Sequence, residues 1–194
     1  MRFRANAVAL WAVTLVASCA TAPTTGPSVC FSPGGHCADL VIREIGTANH
    51  AIHVQAYGFS HPGIAKALGE AEARGVDVEV ILDKSNRSVS YSEASLVANA
   101  GIKTFIDSRH PIAHNKVIVI DEREVITGSF NFTKAADEKN AENLLTLNSP
   151  ALAKQYLDNW RAHQAHSDLY NPIPHATAAP VTRKSSRMSE ESSE

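Results

Sequence analysis

Positive charge is scarce in this chain. Its 194 residues carry 18 Lys and Arg against 20 Asp and Glu, a formal net charge of −2. Between residues 31 and 170 the balance is 13 basic against 17 acidic, a net of −4. A broad electrostatic footprint for nucleic acid is therefore absent. Any phosphate group must be held locally, or by charge that an oligomer brings together. Cysteine is sparse too, at three residues. A chain of this length buries a sizeable core without many disulfides, as one domain with terminal extensions. The N-terminal apolar stretch, residues 5–17, is interrupted by Asn6 and Thr14 and is short for a membrane-spanning helix.

That stretch reads instead as an export signal over residues 1–22. Arg2 and Arg4 form its positive flank, and small residues follow it at once. Ser18-Cys19-Ala20 and Ala20-Thr21-Ala22 both fit small-x-small cleavage. Val16-Ala17-Ser18-Cys19 resembles a bacterial lipobox, in which Cys19 would be lipidated and would tether the chain to a membrane. Either route leaves the mature protein exported: periplasmic, secreted or lipid-anchored. Cys30 and Cys37 are spaced to close a small disulfide loop in an oxidising compartment. The other readings are two free thiols, or a zinc site with His36 that lacks a fourth ligand.

Residues 23–30 are rich in Thr and Pro and read as a linker. Helices are expected over 38–48, 64–74 (closed by Gly75), 92–100 (closed by Gly101) and 151–166. Strands are expected over 51–57, 76–82, 102–106, 117–120, 125–128 and 144–147. Residues 117–120 are apolar at every position, the pattern of a strand covered on both faces. A polar Asp-Glu-Arg-Glu turn at 121–124 joins them to 125–128 as a hairpin. Alternating strands and helices with one hairpin define an α/β domain over 31–170, with a mixed β-sheet flanked by helices. Residues 171–194 lose apolar periodicity and read as a disordered tail.

The chemistry concentrates around that hairpin. His114 and Lys116 stand two residues apart at the start of the buried strand, so they point the same way. Ser129 and Asn131 stand in the same relation just past the next strand. A hairpin brings all four to one end of the sheet. The set suits a phosphodiester, with a cation in Lys116, neutral donors in Ser129 and Asn131, and a nucleophilic or proton-shuttling nitrogen in His114. Asp121 closes the same apolar run at its far end, too distant along the strand to join them, and reads as turn support.

His114-x-Lys116-x4-Asp121-x6-Gly128-Ser129-x-Asn131 resembles the signature of the phospholipase D superfamily. FSPGG at 31–35, RGVDVEVILD at 74–83, HNKVIVID at 114–121, TGSFNFTKAA at 127–136 and KNAEN at 139–143 are similar to its small exported bacterial endonucleases. The resemblance implies a phospholipase D/nuclease-like fold and a covalent phosphohistidine on His114. Lys116 and Asn131 would hold the non-bridging oxygens, Ser129 would assist, and Glu142 would orient the imidazole. Asn115 departs from the pattern, standing where a carboxylate is common, on the opposite strand face.

Two-histidine chemistry needs two such motifs, and the chain has one. None of His36, His50, His53, His61, His110, His163, His166 and His175 is followed by Lys two residues later. The resemblance therefore implies a homodimer that shares one active site between two copies of His114 and doubles the local Lys116 charge. No cofactor and no divalent metal is called for, because the carboxylates near the motif are those of the Asp-Glu-Arg-Glu turn at 121–124, which reads as a solvated hairpin tip. Pro111 breaks the spacing that would make His110 and His114 a zinc pair. The leading function is a metal-independent endonuclease acting on DNA, with RNA a further substrate. The alternatives are a phospholipase D acting on lipid head groups and a non-catalytic nucleic-acid-binding accessory protein.

Overall fold

The computed structural model describes residues 26–87 and 92–172. The expected signal segment with Cys19, the first part of the expected linker and nearly all of the expected C-terminal tail lie outside the described residues. One eight-stranded sheet organises the rest, in the order β1-β7-β6-β5-β2-β3-β4-β8. In chain order the elements are β1 (Ser28–Ser32), α1 (Cys37–Thr47), β2 (Ala51–Ala56), α2 (Pro62–Ala73), β3 (Asp77–Asp83), a 3-10 turn (Lys84–Arg87) and α3 (Ala94–Asn99). There follow β4 (Lys103–Asp107), β5 (Lys116–Ile120), β6 (Glu124–Gly128), α4 (Lys134–Glu138), β7 (Glu142–Asn148), α5 (Pro150–Gln164) and β8 (Asp168–Leu169). The β2–β3 and β3–β4 pairs are parallel and the other pairs antiparallel, so the sheet is mixed as its alternating pattern requires.

Helix ends follow local chemistry. His61, Thr133 and Ser149 each accept a backbone N–H at the start of α2, α4 and α5, and Pro62 and Pro150 occupy first-turn positions that lack an intrahelical partner anyway. The strands explain why β5 is apolar throughout. Its Ile118 and Ile120 join the large core under α1 and α2, with Ile45, Ile64, Leu68 and Ile126. Its Val117 and Val119 face the other way, packing with Val125 and Ala153 of α5. Next to them, Ile81, Leu157 and Trp160 continue the α5 layer, and the Trp160 indole donates to Val54 O at 2.8 Å. The result is three layers, helix–sheet–helix.

The domain begins earlier than residue 31. Ser28, Val29 and Cys30 of the expected linker belong to edge strand β1 and pair with Thr146, Leu145 and Leu144 of β7. Five residues with two serines are too few for the alternation to stand out, yet Cys30 and Ser32 turn inward while Val29 and Phe31 turn outward. Cys30 and Cys37 form a disulfide, tying β1 to the start of α1.

Asp121 lies at the far end of β5, as its spacing requires. Its carboxylate accepts backbone N–H groups from Asn49 (3.0 Å), His50 (2.8 Å) and Ala51 (3.0 Å), which locks the α1–β2 turn onto the β5–β6 hairpin. Burial pushes its pKa up, but these three donors outweigh burial and hold it below the ordinary carboxylate range. A depressed carboxylate stabilises the fold above the unfolded-state value, and that contribution is lost as pH falls through the folded one. Asp121→Asn should cost about 1–2 kcal/mol in urea unfolding near neutral pH, a difference that closes in acid. Activity per folded molecule should persist; a 100-fold loss in folded protein would place Asp121 in the chemistry instead.

Candidate active site

The antiparallel pairing of β2 with β5, β5 with β6 and β6 with β7 puts the C-terminal ends of β2 and β6 beside the N-terminal ends of β5 and β7. All the residues expected to carry chemistry stand at this end. Lys116 is the first residue of β5, and His114 lies on the loop just before it rather than on the strand. That loop is fastened at two points. Ala113 N donates to the buried Asp83 carboxylate at 2.8 Å, and Tyr57 N donates to Asn115 O at 3.0 Å.

Tyr57, which carries no motif of its own, organises this half of the site. Its ring lies 4.7 Å from the His114 ring, centroid to centroid, and Lys116 Nζ sits 5.3 Å from the same ring in cation–π geometry. The sequence pattern places Tyr57 at the end of an expected strand. Its role becomes visible only once that strand is known to pair antiparallel with β5. His114 is solvent-exposed, whereas Lys116 is buried and its Nζ donates to His114 O at 2.7 Å. Burial pushes the Lys116 pKa down, and the nearby Glu142 charge offsets this only in part.

Ser129, Asn131 and Glu142 form the other half. Gly128 makes it possible. Its φ is +153°, and a Cβ there would fall 2.3 Å from Asn143 O, so only glycine lets the chain press against β7. Ser129 N and Phe130 N both donate to that same Asn143 oxygen. Ser129 Oγ donates to Glu142 Oε2 at 2.6 Å and accepts from Asn143 N at 3.1 Å. Phe132 N donates to Gly58 O at 3.1 Å, which lays Asn131 beside Gly58 and so next to Tyr57. The Asn131 Oδ1 is buried without a hydrogen-bond partner, a cost that a further polar group would remove.

Glu142 differs from its expected role within one chain. Its hydrogen bonds come from Ser129 and from Asn140 Nδ2 (3.2 Å), and none joins it to His114. A cleft lined by Ile120, Asp121, Arg123 and Glu124 lies at the opposite end of the sheet and contains none of the five expected catalytic groups. The chemical end of the molecule is thus an open face, with an exposed imidazole, a buried cation and a row of neutral donors.

An exposed imidazole and a desolvated ammonium that share the Tyr57 ring, on a mixed sheet between helices, suit chemistry on a phosphodiester. The profile of the family described as "Cardiolipin synthase, PLD-like domain" matches residues 41–163. A Rickettsia bellii protein named phospholipase D is 45% identical over 140 residues, 72% of this chain and 70% of that one. The crystal structure of a phospholipase D family member, Nuc from Salmonella typhimurium, superposes with a TM-score of 0.72 at 41% identity, covering 75% of this chain and 97% of Nuc. Human mitochondrial cardiolipin hydrolase is more distant, 28% identical over 82% of this chain and 66% of its own. The chain belongs to the phospholipase D superfamily.

Lys116→Met tests the electrostatics. Because the folded pKa lies below the ordinary lysine value, the folded chain binds fewer protons than the unfolded chain between the two values. Wild-type stability should therefore rise with pH across that window. The variant should lose that slope, keep its melting temperature, and lose at least about 100-fold in phosphodiesterase rate. A folded, fully active variant would show that the cation is not needed.

Proposed function

We propose that this phosphodiesterase is an endonuclease acting on DNA, and on RNA, with little sequence preference, and that two copies complete one active site. The observation that carries this reading is an open half-site with a single exposed nucleophile. His114, Lys116, Ser129, Asn131 and Glu142 gather at one sheet end, and no second His-x-Lys motif occurs in the chain. A His114 nitrogen attacks phosphorus, forming a P–N bond as the P–O bond to the leaving nucleoside breaks. The partner's His114 gives that oxygen its proton. Water then attacks the phosphohistidine and releases the phosphorylated end. Lys116 and Asn131 hold the non-bridging oxygens, and Lys116 from both copies supplies the charge that the acidic chain otherwise lacks.

The likeness to Nuc over nearly all of that chain supports the nuclease reading. Relatives named phospholipase D support the second, in which the same site cleaves a phospholipid head group. The N-terminal signal pattern and the Cys30–Cys37 disulfide support an exported, oxidising location.

Two measurements decide. Purified mature protein should nick plasmid DNA and leave phosphatidylcholine and cardiolipin vesicles intact, with His114→Asn abolishing the nicking. Head-group release without nicking would favour the lipase. When wild-type and His114→Asn chains are mixed and allowed to exchange, activity should follow the square of the wild-type fraction. A linear dependence would mean that each chain works alone.

A further inference from the structure

A second cluster lies three strands away from β5, at the C-terminal end of β4, roughly 14 Å off at ordinary strand spacing. Asp107, the last residue of β4, is completely buried, and its recorded ion-pair partners are all imidazoles. Its Oδ2 lies 2.7 Å from His163 Nδ1, 3.0 Å from His110 Nδ1 and 3.4 Å from His166 Nε2. The four donor atoms fall within 4.8 Å of one another. His166 Nε2 is shut off from solvent and makes no hydrogen bond. The other carboxylate oxygen accepts from Arg109 N at 3.1 Å, which fixes the carboxylate's orientation. By spacing in the sequence His110 pairs with His114 or with nothing; the fold turns it toward Asp107.

We propose that Asp107, His110, His163 and His166 form a tetrahedral zinc site that fastens the end of α5 to the loop carrying His114. Zinc accepts imidazole nitrogen and carboxylate oxygen at about 2.0–2.2 Å, which places neighbouring tetrahedral donors about 3.3 Å apart. The observed separations around Oδ2 bracket that value. A dicationic centre also answers the charge of a completely buried carboxylate. Three nitrogens and one oxygen suit zinc over magnesium or calcium, which take all-oxygen shells. Four protein ligands leave no open position for water or substrate, so this is a structural site and takes no part in phosphoryl transfer.

Its effect is on the nucleophile's scaffold. His110 lies four residues before His114 on the β4–β5 loop, and its carbonyl accepts from Lys84 Nζ at 3.2 Å. The hydrogen bond from Ala113 N to Asp83 fixes the other end of that loop. His163 and His166 belong to the end of α5 and the residues just after it. One ion would therefore clamp the only helix on its face of the sheet, among the described residues, to the loop that presents His114.

The test uses the full chain, stripped with a chelator and titrated with zinc. One zinc per chain should bind and raise the melting temperature by about 5 °C or more, while magnesium leaves it unchanged. His110→Ala and His166→Ala, both at partly exposed positions, should weaken zinc binding at least about 100-fold with the circular dichroism spectrum retained. His36→Ala and His114→Asn should bind as the wild type does. The visible spectrum of the cobalt(II)-loaded wild type is independent of variant folding and should show intense tetrahedral bands. A stripped chain that takes up no zinc, weak octahedral cobalt bands, or affinity lost in His114→Asn instead of His110→Ala would each overturn the site. The readout is metal binding, so it succeeds or fails separately from the endonuclease reading.

Discussion

β5 is hydrogen-bonded along both edges, to β2 and β6, and covered on both faces, by α1 and α2 on one side and α5 on the other. A one-residue slip would exchange Ile118 and Ile120 with Val117 and Val119 between two separately packed cores, so the register is held by apolar burial. That constraint reaches both ends of the strand. Lys116 is pinned where β5 begins, and Asp121 where it ends. The charged groups of the motif occupy fixed places because the uncharged residues between them cannot move.

A buried lysine is costly to fold around, and this protein keeps it at the one place where a phosphate would need it. The Tyr57 ring lies against the ammonium, the His114 carbonyl accepts its hydrogen bond, and Glu142 partly balances its charge. The chain is acidic otherwise. Under the proposed endonuclease reading, a polyanion would be held by concentrated local charge rather than by a basic surface, and the proposed two-fold pairing would concentrate it further. Asn131 carries a buried, unpartnered Oδ1, an acceptor that an arriving N–H or O–H donor would satisfy.

Much of this was legible in the chain before its fold was known. The unbroken apolar run of β5, the polar turn after it and the two-residue spacing of His114 and Lys116 are local features, and local geometry follows from them directly. Asp121 could be separated from the other motif residues by strand rise alone. What stayed hidden depends on contacts between distant segments. Tyr57 needs the β2–β5 register. The Ser129–Glu142 bond needs β6 and β7 in alignment. Strand β1 is too short and too polar to be told from a linker. The histidine cluster joins residues 107 and 110 to residues 163 and 166, more than fifty positions away, and no spacing rule links them.

The central claim is that one nucleophile serves two chains. It is tested most directly by trapping the covalent intermediate from a single turnover on labelled DNA, quenched in alkali, where phosphohistidine survives. Peptide mapping should place the label on His114, at one phosphate per two chains. A label on another residue, or one phosphate for every chain, would contradict the shared site.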